Sequence, residues 1–222
     1  MDGDRIKQLE QLLRSNRLDQ RKMALDELVS YPMSVAVPIF KQLSTEADFR
    51  LRCIAVMGLA NHRTEESFAV LKRCLETEQD SSVLAEAANS IFEFGDRAIA
   101  PLQQLFDRCD HWLVRQTVVS ILVESDQPDV LLAIAKKAIN DPTQTTKETG
   151  ILALHRLINT PFKQDAFELF TDLANSSDWR TRWRTAIALT AIQDEPAKQL
   201  LIKLQQDEHY RVVAAAFDAL NS

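Results

Sequence analysis

Residues 48–60 read DFRLRCIAVMGLA, and three of them, Arg52, Ala55 and Leu59, mark a register that returns along the chain. The same places hold Arg21, Ala24 and Leu28; Leu84, Ala87 and Ile91; Arg115, Val118 and Leu122; Lys147, Gly150 and Leu154; Arg182, Thr185 and Leu189; and Arg211, Ala214 and Asp218. The first marks stand 31, 32, 31, 32, 35 and 29 residues apart. A period of this size, with helical spacing inside each copy, predicts a stack of one supersecondary unit whose copies bury their apolar faces against each other.

Working outward from that stretch, each copy divides into a first (A) helix, a turn and a second (B) helix carrying the register. The A helices are signalled by Ile6, Leu9, Leu12 and Leu13; by Val35 to Leu43; by Phe68, Val70, Leu71 and Leu75; by Ile99 to Phe106; by Val130 to Ile139; by Phe167, Phe170 and Leu173; and by the stretch from Pro196 to Leu204. The units fall near 1–30, 31–62, 63–95, 96–125, 126–159, 160–193 and 194–222, read as one domain. Gly95 suits the left-handed residue that ends a helix. Thr160 and Pro161 suit the cap and first residue of the sixth A helix.

The residue types within the register have physical reasons. The Ala55 place tolerates only small or narrow side chains where two helices approach, and the Leu59 place lies one turn further along that face. Four residues before the first mark stand Asp48, Asp80, Asp178 and Asp207. There an Asp caps the helix and, in the units of Asp48, Asp178 and Asp207, lies one turn from the marked arginine. A ladder of such pairs accounts for Arg52, Arg182 and Arg211.

The chain's 222 residues, 45% hydrophobic with only four glycines, favour helices joined by short turns over any sheet. A net charge of −6 argues against a general nucleic-acid binder. The opening MDGDRIKQLEQLL lacks the pattern of a secretory signal, and no apolar run approaches the length of a membrane span, so a cytoplasmic protein is expected. Cys53, Cys74 and Cys109 are odd in number and lack metal-ligand spacing, so neither a disulfide framework nor a metal is expected.

The pattern D-x-x-x-R-x-x-A-x-x-x-L, with first helices carrying Val37-Pro38-Ile39 and Ala100-Pro101-Leu102, resembles the short HEAT-type repeats of the phycobilisome lyase class of cyanobacteria. That class includes the E/F-type phycobilin lyases and the NblB-type phycobilisome-degradation proteins. The resemblance covers essentially the whole chain and implies an all-α, right-handed α-solenoid of about seven HEAT-like hairpins. It further implies handling of an open-chain tetrapyrrole such as phycocyanobilin on phycobiliprotein subunits, by attachment, detachment or turnover, with a second HEAT-repeat subunit as a further partner. A related repeat enzyme, deoxyhypusine hydroxylase, needs His-Glu dipeptides for iron; here the histidines precede Arg63, Trp112, Arg156 and Tyr210.

Departures from the repeat point to candidate site residues. Cys109-Asp110-His111-Trp112 sets a thiol, carboxylate, imidazole and indole side by side, with His111 in the capping place. Cys109, Asp110 and His111 are the candidate chemical groups, the Asp to pair with pyrrole N–H groups and the His to move a proton, with Trp112 a contact for a bilin. The competing reading makes Asp110 a displaced cap and the rest packing. Trp179-Arg180-Thr181-Arg182-Trp183-Arg184 places Trp179 and Trp183 on one helical face and Arg180 and Arg184 on the next, a pattern suited to propionates or an acidic partner, or to inter-repeat packing. His155 is a further candidate contact.

On the face beside the buried register lie Cys53, Met57, Asn89, Phe92, Ser120, Leu152, Ile187 and, in the last unit, Ala216. A line this apolar marks a partner surface on the concave side, or lateral packing of B helices. Two functions follow from the sequence: a bilin-handling protein with lyase-like chemistry, or a non-enzymatic scaffold that binds a partner through this face.

Overall fold

The computed structural model describes residues 2–221, and among these every regular element is a helix. The α-helices are α1 (Asp2–Leu13), α2 (Leu18–Val29), α3 (Met33–Leu43), α4 (Phe49–Asn61), α5 (Glu65–Thr77), α6 (Ser81–Phe92), α7 (Ile99–Arg108), α8 (Trp112–Leu122), α9 (Pro128–Ala138), α10 (Gln144–Ala153), α11 (Lys163–Ala174), α12 (Trp179–Leu189), α13 (Glu195–Leu204) and α14 (Tyr210–Leu220). Short 3₁₀ turns precede α7 and follow α10. The odd-numbered helices are the A helices and the even-numbered the B helices of an α-solenoid. The chain forms two compact units, residues 1–118 and 119–222.

Within the first unit α1 packs on α2, α3 on α4 and α5 on α6, while α2, α4 and α6 pack side by side. The second unit repeats this with α9 on α10, α11 on α12 and α13 on α14, and with α10, α12 and α14 adjoining. The register explains the spacing. Ala24, Ala55, Ala87, Leu28, Leu59 and Ile91 are fully buried. At the Ala55 place of α10, a Cβ on Gly150 would sit 2.6 Å from Ala138 Cβ and 3.0 Å from the backbone nitrogen of Ile139, so the α9 backbone itself sets the limit. Gly58 makes an equivalent allowance for the ring of Phe40, whose atoms lie 2.3 to 2.5 Å from where its Cβ would be.

Asp48 caps α4 by accepting from Arg50 N–H, Asp80 caps α6 through Ser82 and Val83, and Asp178 caps α12 through Arg180. Asp207 does not cap α14. That helix begins at Tyr210, and its cap is His209, which accepts from the N–H of Arg211. The last register therefore stands two residues later than expected: it reads Val213, Ala216 and Leu220, which restores a spacing of 31 residues from Arg182. Burial agrees: Ala216 is fully buried while Ala214 and Asp218 are exposed, so Ala216 belongs to the core and not to the open face. A second correction concerns Thr160 and Pro161. The Thr160 hydroxyl accepts from Phe162 N–H and α11 starts only at Lys163, leaving Pro161 in the turn. Gly95 does take the left-handed conformation, at φ 63°, but α6 ends at Phe92 with Glu93 as its cap, so Gly95 opens the 3₁₀ turn before α7 and does not end the helix.

The arginine ladder exists but runs differently. Asp48 is engaged by Arg50 at 2.7 Å and not by Arg52. Arg52 instead reaches across to Glu78 at 2.6 Å and donates to the carbonyls of Glu46 and Ala47, each at 2.9 Å. Arg182 grips Asp207 at 2.6 Å and donates to the Ser176 carbonyl at 2.7 Å. Each rung thus joins a B helix to the turn two residues before the next B-helix cap, tying consecutive repeats where an intrahelical pair would tie nothing. Arg211 takes no part in it.

Candidate functional site

In the second unit the N-termini of α12 and α14 bring together an aromatic and basic cluster. The rings of Trp179 and His209 stack with centroids 3.8 Å apart and planes inclined by 4°, and His209 stacks on Tyr210 at 5.1 Å. The Arg180 guanidinium lies 4.7 Å from the Trp179 ring, and that of Arg211 5.6 Å from it while also donating to the Tyr210 hydroxyl at 3.1 Å. His209 is held in place by its capping bond and by its own N–H, which donates to Asp207 at 2.8 Å. Arg180, Tyr210 and Arg211 are exposed, Tyr210 to 71%. Below the rings a groove of about 340 Å³ runs between α12 and α14, floored by Trp183, Ile187, Thr190 and Ala215.

This arrangement offers flat π surfaces edged by two cations, which suits a planar, conjugated, anionic ligand. Arg184 does not share that role. It stacks on Trp183 at 4.9 Å and is engaged by Glu148 of α10, which itself accepts from Gln144. Its charge is spent inside the unit. His209, Tyr210 and Arg211 escaped sequence reasoning as site residues because the last register was placed two residues early. The signal that could have found them is the dipeptide: His209-Tyr210 repeats the His111-Trp112 pairing at a capping place.

His155 lies elsewhere in this unit. It lines a cavity of about 640 Å³ beyond the C-terminal ends of α10 and α12, shared with Arg156, Ser125, Thr160 and Asp194, while the aromatic cluster stands at the other end of α12. Its Nδ1 is 2.6 Å from the Leu152 carbonyl, which can only accept, so Nδ1 carries a proton. Ser120 is exposed, and Leu152 and Ile187 are half-buried, on the B-helix face.

The first unit holds the other group. Cys109 ends α7, and the His111 ring, in the capping place of α8, accepts weakly from Leu113 N–H at 3.3 Å and stacks on Trp112 at 5.9 Å. Accepting at Nδ1 puts the proton of a neutral ring on Nε2. Asp110 is fully solvated, with Arg115 3.8 Å away, and is not the helix cap. Trp112 is 45% exposed. No hydrogen bond joins Cys109 to His111, so the four neighbours in sequence present separate groups and not a preformed relay. On the B-helix face of this unit Met57 is 39% exposed, Asn89 is exposed and Phe92 half-buried. Among the described residues no cluster of three or more His, Cys, Asp or Glu side chains could hold a metal ion, and no helix is long and apolar enough to cross a membrane.

Paired helices, small residues at the crossings and arginine rungs between repeats define an α-helical repeat protein. The sequence profile of HEAT repeats matches residues 6–91, 36–123 and 129–221, and the chain belongs to that family. No match was found among curated proteins. Among solved structures, the complex of CpcE and CpcF of phycocyanin lyase from Nostoc sp. PCC7120 is 18% identical with a TM-score of 0.51, over 97% of this chain and 93% of that one. YIBA of E. coli is 14% identical with a TM-score of 0.67, over 94% and 79%. The karyopherin Kap121p, bound to the extreme C-terminus of the protein phosphatase Cdc14p, is 15% identical with a TM-score of 0.57, over 98% of this chain and 29% of that one. At such identities the likeness is one of fold.

Proposed function

We propose that the protein handles an open-chain tetrapyrrole on phycobiliproteins, serving chromophore attachment, detachment or phycobilisome turnover. The observation that carries this reading is the Trp179–His209–Tyr210 stack flanked by Arg180 and Arg211. A bilin is a long conjugated system with propionates, and such a cluster supplies π surfaces for the first and guanidinium groups for the second. The likeness to the CpcE and CpcF complex supports the same reading at the level of fold. On this proposal Trp183 and the groove beneath it take the apolar edge of the chromophore. Cys109, Asp110, His111 and Trp112 are, on the same proposal, a separate candidate contact within the first unit, where His111 Nε2 exchanges a proton and Asp110 accepts from pyrrole N–H groups.

The test is to mix the purified protein with phycocyanobilin, and separately with chromophorylated phycocyanin, and follow the visible spectrum. Binding shifts the absorption of the free bilin, and Trp179→Ala or Arg211→Gln removes the shift; transfer changes the phycocyanin spectrum with time. An unchanged spectrum in both mixtures at micromolar protein sinks the reading.

A second reading, a non-enzymatic scaffold, is favoured by the exposed apolar residues of the B-helix face, Met57 among them. It expects a stable complex with phycocyanin, or with another HEAT-repeat subunit, without spectral change. That complex would survive Cys109→Ala and His111→Ala and be lost on Trp183→Ala.

A further inference from the structure

The first unit carries an apolar groove of about 380 Å³ between α2 and α4, lined by Leu18, Leu25, Phe49, Cys53, Ile54 and Met57. Phe49, Cys53 and Met57 recur every four residues, so they form one stripe along two turns of α4, about 12 Å long. Leu18 is 73% exposed, Phe49 43% and Met57 39%, a density of open apolar surface that a solvated face does not need. The thiol of Cys53, pushed up to about 11 chiefly by burial, is uncharged at neutral pH and belongs to the apolar lining.

Charge separates this groove from an ordinary patch. On a chain of net charge −6, its rim sets Arg21, Lys22 and Arg50 against the single carboxylate of Asp26. Arg50 is satisfied by Asp48. Arg21 is not: it occupies the ladder place of Arg52 and Arg182, yet Glu46, which stands where Glu78 and Asp207 complete their rungs, is taken by Arg14 at 2.5 Å. The Nε of Arg21 is buried without a hydrogen-bond partner, with Asp48 nearby already engaged. A cation in a slot that elsewhere receives a carboxylate, opening on an apolar stripe two helical turns long, specifies its occupant.

We propose that this groove docks an amphipathic α-helix of a partner protein, with apolar residues at i, i+4 and i+7 and carboxylates beside them, one of which completes the rung at Arg21. The stripe's length along both helices matches a helical segment, and the open Met57 side chain can repack around varied apolar contacts. The assignment rests on first-unit residues alone and is independent of the bilin reading.

Fluorescence anisotropy with a panel of labelled amphipathic peptides of roughly 14 residues, about four turns each, tests it. Half of the panel carries Glu beside the apolar stripe at varied positions, and half carries Lys there. Glu peptides are expected to bind in the micromolar range and Lys peptides at least about tenfold more weakly. Arg21→Gln should cost the best Glu peptide about tenfold in affinity, and Met57→Glu more than that, with unchanged circular dichroism. Arg14→Gln, outside the groove, frees Glu46 to reach Arg21 and should weaken the same peptide severalfold, an effect that lost packing alone would not give. Equal binding of both halves, no binding by any Glu peptide at millimolar concentration, or indifference to Arg21→Gln overturns the proposal. Displacement of a bound peptide by dodecanoate at equal concentration would give the groove to small carboxylates. Peptide-free dimers in sedimentation that vanish with Met57→Glu would give it to a second copy. Either result overturns the helix assignment.

Discussion

Arg182 and Arg21 occupy the same slot of the repeat in different units, and their fates differ. Arg182 is nearly inaccessible, its side chain 9% exposed against Asp207 at 7%, and its guanidinium is saturated by a carboxylate and two backbone carbonyls. Arg21 has the same stem and charge, but the acid that would close its rung pairs with Arg14 instead. The lesson is that the repeat fixes where the cation stands, whereas the residue 25 positions later, and what else competes for it, decides whether that cation is structural or open to a partner.

The comparison can be broken most directly by Arg182→Ala. It leaves Asp207 buried without its counter-ion, and a loss of about 3 kcal/mol or more is expected in urea unfolding. A loss under about 1 kcal/mol, the range of exposed pairs, would show the rung to be solvated and erase the contrast. Next in size is Gly150→Ala, whose new methyl would press on the α9 backbone and cost about 1–3 kcal/mol. Stability equal to wild type there would mean that α9 and α10 can part freely.

Acid should separate the two slots as well. Arg182's hydrogen bonds hold Asp207 below its ordinary 3.8. Burial works to raise Glu78, but Arg52 and the N–H groups of Asp80 and Gln79 outweigh it and hold it below 4.5. Asp48, on which the Arg50 hydrogen bond is the leading influence, is held at about 2. Because the folded carboxylates release protons more readily than the unfolded ones, their stabilisation is whole above the ordinary values and is lost as pH falls through the folded ones. Melting temperature should therefore drop as pH goes from about 5 toward 2, less steeply in the Arg182→Met, Asp207→Leu double variant. Parallel curves for the two proteins would remove Asp207 from the account.

The smallest effect is the sharpest. Arg21→Gln should change stability by no more than about 0.5 kcal/mol, the range of substitutions away from any closed network. A cost near that of Arg182→Ala would mean that Arg21 is already clasped. Along the groove wall, Cys53 and, on α5, Cys74, pushed to about 11 and about 12 chiefly by burial, should react with iodoacetamide at pH 8 some ~100-fold more slowly than a free cysteine. Ready labelling would show a looser lining.

The fold was legible because the apolar period and the small residues at the crossings are dictated by helix geometry, and Ala55, Leu59 and Gly150 all sit as that geometry requires. The partners of the arginines were not. Asp48 and Arg52 look like an intrahelical pair, yet the arginine's length lets it reach the next turn, where three acceptors replace one. The last unit misled for a related reason: Asp207 fits the capping pattern, but it stands two residues short of the cap, and His209, directly before Tyr210, has that duty. In the candidate site Trp179, Arg180 and Trp183 could be read from spacing along one helix, while His209, Tyr210 and Arg211 join them only through the packing of α14 beside α12. Arg184, alike in sequence to Arg180, is neutralised by Glu148, a residue 36 positions earlier that no local pattern connects to it.

One rung also reaches into the aromatic cluster. Arg182 holds Asp207, Asp207 accepts the N–H of His209, and the ring of His209 lies flat against Trp179. The stack is therefore ordered before any ligand arrives, and a flat molecule that settles on it has little rotamer freedom left to extinguish in its host. On the proposed function, association there should be limited by the desolvation of Arg180 and Arg211 and not by the organisation of the rings, with the entropic toll already met when the chain folded.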